Sequence, residues 1–148
     1  MSEHKTQLSW KRTNDTFEYK SYSRNHKWMF ENGLAIEASA AESFLGDPTK
    51  VDPEEAFVAS LSSCHMLTFL AVCTKRRLIV NTYEDRATGF LEKSPEEGFI
   101  ISRVELRPIV VFEGDSPEKN TLRKLHHMAH TTCFLANSVK CEIKTILE

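Results

Sequence analysis

The chain has 148 residues, of which 41% are hydrophobic and 27% charged, with 19 Lys and Arg against 21 Asp and Glu. That length suits one domain, residues 1–148, with a real hydrophobic core. A formal net charge of -2 leaves no overall basic field to attract nucleic acid or anionic lipid.

The first twenty residues, MSEHKTQLSWKRTNDTFEYK, are polar and charged, and no later stretch is read as the roughly 20 apolar residues of a membrane span. A soluble cytoplasmic protein is expected. TQLSW reads as a first strand. HKWMFENGLAIEASA reads as two more, joined by an Asn32-Gly33 hairpin turn. After a loop broken by Pro48 and Pro53, Asp52 stands as an N-cap with proline at the first helical position, and Glu54 and Glu55 suit the positive end of the helix dipole. The helix runs to about Arg77 and is apolar on nearly every side, which places it in the middle of something. LIVNTYEDRATGFLE then reads as a strand, as does FIISRVELRPIVVF, with Ile100, Val104, Leu106, Val110 and Phe112 on one face. GFLEKSPEEGF is a solvated hairpin tip. Ser116-Pro117-Glu118 opens a second helix bearing Leu122, Leu125, His126 and Ala129, and VKCEIKTIL closes the chain as a half-buried strand. Strands and helices segregate, so the class is α+β, antiparallel sheet packed on helices.

Four cysteines without a CxxC pair, in a chain too large to depend on disulfide staples, are expected to be reduced thiols. Cys73 falls on the far side of the first helix from Cys64, and Cys141 lies on the apolar face of the last strand. Both read as core. Cys64 sits beside His65 in the apolar helix, and Cys133 follows the second helix in a polar corner, HTTCFLANSV, where a side chain can meet a substrate. The spacing alone leaves Cys64 open to a packing role.

VDPEEAFVASLSSCHMLTFL together with AHTTCFLANSVKCEI closely resembles the two signature regions of the OsmC/Ohr family of hydroperoxide-reducing proteins. The likeness covers the order of elements and the spacing from Glu54 to Cys64, and extends loosely from Arg24 to Leu147. It implies an OsmC-like fold, with antiparallel sheet around a long central buried helix in an intertwined homodimer. It makes Cys64 the peroxidatic thiol and Cys133 the resolving one. It also assigns Glu54 and Arg24 to the site, with Arg12 and Arg103 as the other arginines that could fill the place. Phe134 follows Cys133 where relatives often carry proline.

Thiol chemistry explains why such groups are needed. A peroxide oxygen is attacked by the thiolate, and an ordinary thiol with a pKa of about 8.5 is mostly protonated at neutral pH. Apolar burial makes matters worse, so a fixed cation such as Arg24 is expected to hold the anion, oriented by a forked pair with Glu54. Ten helical residues separate Glu54 from Cys64 by roughly 15 Å along an unbroken axis. Glu54 is therefore expected to serve a cysteine of a second chain. The implied partners are an organic hydroperoxide, favoured by an apolar pocket, and an external dithiol reductant, in the Ohr branch a lipoylated protein. No cofactor or resident metal is called for. His65, pointing about 100° from Cys64, is expected to make a structural hydrogen bond. The rival readings are a zinc site built from His126, His130, Cys133 and Cys64, and a noncatalytic stress-associated dimer on the same fold.

Overall fold

The structure is a computed structural model and describes residues 1–147. The chain forms two compact units, 1–56 and 57–148. In the first, β1 (Thr6–Ser9), β2 (His26–Phe30) and β3 (Ala35–Ala38) make an antiparallel sheet in the order β1-β2-β3. The expected hairpin turn is present. Gly33 adopts φ +84, a left-handed conformation that glycine enters without a Cβ penalty, and the Asn32 side chain accepts a hydrogen bond from the Leu34 N–H.

Helix α1 (Pro53–Lys75) starts in the first unit. The Asp52 carboxylate accepts the Glu55 N–H at 2.7 Å, and Glu55 reaches back to the Asp52 N–H at 3.4 Å, a reciprocal cap of the kind the sequence announces. Most of α1 lies in the second unit, where Leu61, His65, Phe69, Val72 and Cys73 form its buried face. By length and composition α1 is also apolar enough to cross a membrane, which the reading of the sequence did not anticipate. Its buried face packs into the two cores of the second unit. The opposite face is uncovered within the chain, with Leu67 60% exposed, so apolar character on all sides does not translate into burial on all sides.

The two long strand expectations each resolve into two strands. Residues 78–92 give β4 (Val80–Asp85) and the start of β5 (Thr88–Ser94), and residues 99–112 give β6 (Gly98–Leu106) and β7 (Pro108–Phe112). The physical reason is a change of partner at the breaks. β4 pairs antiparallel with β7, while β5 pairs with β6 and β6 in turn with β8 (Glu142–Thr145). The apolar face expected to be continuous therefore serves two cores. Phe112 and Val110 pack with Phe69, Val72, Cys73, Leu125 and Ala129, whereas Val104 and Leu106 pack with Leu61. A register shift between Phe90 and Leu91 also puts Ile101, not Ile100, beside Val104 and Leu106, because a bulge moves the inward set by one residue. The β6–β8 pair is parallel, an exception to the antiparallel expectation.

Helix α2 (Lys119–Thr132) begins two residues beyond the expected Ser116-Pro117 start, with Glu118 at the N-cap and no side-chain cap bond. It buries Leu125, His126 and Ala129. The architecture is α+β, as expected.

Candidate active site

Cys64 lies on α1 one turn beyond Leu61, and that helix is fastened to the sheet edge by Asp85 at the end of β4. Asp85 accepts the Ser62 hydroxyl at 2.5 Å and the Arg107 N–H at 2.6 Å. Cys133 caps the C-terminus of α2 in an extended conformation, where its N–H bonds to His130 O and its carbonyl accepts the Asn137 N–H. This turn out of the helix aims the thiol back at α1. The two Sγ atoms of Cys133 and Cys64 lie 2.7 Å apart, across 69 residues of chain. Cys133 is 1% exposed and Cys64 half-buried. Burial, and then the neighbouring Cys64, push the Cys133 thiol up from its ordinary value, so it keeps its proton at neutral pH.

An open groove of about 620 Å³ lies among the neighbours of the two cysteines, though neither cysteine lines it. It is lined by Thr68, one turn after Cys64, by Thr132 and Phe134 on either side of Cys133, and by Leu67, Lys75 and Arg76. The last two are cations at the C-terminal end of α1.

A second pair joins the same two helices. His65 Nε2 and His126 Nδ1 are 3.0 Å apart, the two rings are coplanar within 1°, and both residues are 2% exposed. Phe69 stacks on His126 with ring centroids 4.2 Å apart. Burial lowers both imidazoles from 6.5 to about 4, helped at His65 by the nearby His130 against the opposing effect of Asp85, and at His126 by His65. Both rings are neutral at physiological pH, and one donates to the other. His126 Nε2 has no hydrogen-bond partner among the described residues. The structural hydrogen bond expected of His65 is therefore present, and its partner is the residue that the zinc reading wanted as a ligand. Among the described residues no group of three or more His, Cys, Asp or Glu is placed to hold a metal ion. His126 is engaged by His65, and Cys133 lies against Cys64.

Arg24 and Glu54 belong to the first unit. The Arg24 guanidinium donates to Tyr22 O at 2.6 Å and to Tyr19 O, and lies over the Tyr22 ring at 4.0 Å. It lines a cavity of about 520 Å³ with Trp10, Phe17, Tyr22 and His26. Glu54 sits in the first turn of α1, and among the described residues its carboxylate has no ion pair, so the forked pair with Arg24 does not form within the chain. The alternative arginines are also engaged locally. Arg12 donates to Asp15 O, while Arg103 pairs with Glu105 and covers the Phe90 ring. Cys73 and Cys141 pack in the two cores, as their spacing suggested.

Comparison with known proteins identifies the family and the fold. The profile of the OsmC-like protein family matches residues 46–148. An OsmC-like protein of Vibrio cholerae superposes with a TM-score of 0.91 at 46% identity, covering 100% of both chains. An organic hydroperoxide resistance protein of Legionella pneumophila shares the fold at 18% identity and a TM-score of 0.67, over 99% of this chain and 97% of the other. An uncharacterised protein of Methanocaldococcus jannaschii is 30% identical over 86% of this chain, which spans 66% of that relative's length. With its family profile matched over more than half its length and its fold shared end to end, the chain belongs to the OsmC-like family.

Proposed function

We propose that this chain is a thiol-dependent peroxidase that reduces organic hydroperoxides to alcohols through a disulfide between Cys64 and Cys133. The observation that carries this reading is the 2.7 Å separation of the two sulfurs, remote in the chain. A disulfide needs about 2.05 Å, so closure takes a sub-ångström approach.

The two thiols divide the work. Cys133, buried and with its pKa raised, keeps its proton until the Cys64 sulfur beside it is oxidised. Half-buried Cys64 is the sulfur that meets substrate. Its thiolate attacks the distal oxygen of ROOH. The O–O bond breaks, the alkoxide leaves and takes a proton as ROH, and Cys64 becomes a sulfenic acid. Cys133 then attacks the sulfenic sulfur, the S–O bond breaks, and the hydroxide leaves with the Cys133 proton as water. Two thiols and one hydroperoxide thus give one disulfide, one alcohol and one water. An external dithiol, in the manner of a lipoyl group, reduces the disulfide by exchange. Proteins of the same fold named for organic hydroperoxide resistance support the substrate class.

In this reading a second copy of the chain supplies Arg24 and Glu54 as the cation and its orienting carboxylate, and the working protein is an intertwined cytoplasmic homodimer. The support is the uncovered apolar surface of the single chain, where Leu67 is 60% and Phe134 82% exposed beside the thiols. Consumption of cumene hydroperoxide in the presence of a dithiol tests the reading. The native protein turns over, and Cys64→Ser loses at least a hundredfold. Equal rates in the native protein, Cys64→Ser and Cys133→Ser would overturn it.

A further inference from the structure

We propose that His65 and His126 are positioning residues, a polar key that fixes the rotation of α1 against α2 and so holds the Cys64 sulfur against Cys133. The inference rests on the reading of these cysteines as a redox pair.

An ordinary amphipathic helix has its rotation chosen by burial, because any turn about its axis exposes the apolar stripe. α1 lacks that restraint. Leu67 on its open face is as apolar as Leu61 and Phe69 on its buried face, so the hydrophobic pattern discriminates weakly between rotations. A polar pair discriminates strongly, since turning α1 would leave two buried imidazole nitrogens unpaired. The best-attested use of a buried polar group is this kind of register selection. His65 is the residue next to Cys64 on α1. His126 lies on α2, whose C-terminal cap is Cys133. Their 3.0 Å hydrogen bond therefore ties together the two helices that carry the sulfurs.

Geometry gives the scale of the effect. A cysteine sulfur stands roughly 4–5 Å from its helix axis, so a rotation of about 20° displaces it by about 1.5 Å. Such a displacement is enough to take neighbouring sulfurs out of bonding reach. The stacked Phe69 ring holds the His126 plane, so the key has a defined direction as well as a distance. With both imidazoles neutral, the pair orients the thiols without placing a charge behind them.

The test measures the effective concentration of the Cys64–Cys133 pair in exchange with a glutathione redox buffer. Each protein disulfide formed consumes one oxidised glutathione and releases two reduced ones. The double variant His65→Leu/His126→Leu removes both partners at once and so leaves no unpaired buried nitrogen to threaten folding. It is expected to retain or raise the melting temperature while the effective concentration falls at least tenfold. His126→Asn, which keeps a hydrogen-bonding atom near the Nδ1 position, is expected to recover most of the loss. An effective concentration within twofold of native in the double variant would overturn the proposal, as would a loss that tracks only the melting temperature across the two variants. Because glutathione exchange needs no peroxide, a native protein that closes the disulfide yet ignores hydroperoxide would sink the peroxidase reading alone.

Discussion

The neutral histidine pair makes the stability of this protein steeply dependent on pH in mild acid. Each imidazole has its folded pKa lowered from 6.5 to about 4 by burial, so between these values the unfolded chain binds protons that the folded chain refuses. The sign follows: this stabilisation is complete above about pH 6.5 and is lost as pH falls toward 4. One shift of this size amounts to roughly 3 kcal/mol at pH 4. Two coupled imidazoles give between about 3 and 6 kcal/mol, a large fraction of the ~5–15 kcal/mol of a typical domain. Urea denaturation of the native protein at pH 7.5, 6, 5 and 4, alongside His65→Leu/His126→Leu, isolates the contribution of the pair from that of every other titrating group. The native protein is expected to lose stability across this window, and the double variant to lose at least 3 kcal/mol less. Parallel curves for the two proteins would refute the claim that both rings are buried and neutral.

Other substitutions test the fold and the site separately. Cys133→Ser should leave the first oxidation intact but strand Cys64 as a sulfenic acid, detected as a dimedone adduct in mass spectra after one equivalent of peroxide; the native protein should show little of it. Asp52→Ala removes the reciprocal cap at the start of α1 and should cost about 1 kcal/mol in chemical denaturation. Leu106→Ala, fully buried against Leu61 one turn before Cys64, should cost about 2–5 kcal/mol by the same assay.

Much of this was legible in the chain because it depends on local rules. The Asp52-Pro53 start, the Asn32-Gly33 turn and the inward set on α2 each follow from chemistry within a few residues. The division of residues 99–112 between two sheets was not legible. Alternation reports which side of a strand is apolar but not which core it meets, and the bulge that substitutes Ile101 for Ile100 leaves no mark in the pattern. The site divides in the same way. Resemblance picked out Cys64 and Cys133, and the fold brings those two together. His126 was legible only as one of the inward set on α2 or as part of a metal spacing, because its partner His65 lies 61 residues away. Nothing in one sequence announces a pairing at that distance.

The most direct test of the account is a disulfide map of the native protein after one equivalent of cumene hydroperoxide, by non-reducing peptide mass spectrometry. The prediction is a single bridge joining Cys64 to Cys133, the loss of two thiols per chain, and free thiols at Cys73 and Cys141. A bridge through Cys73 or Cys141, or four thiols surviving the treatment, would contradict it.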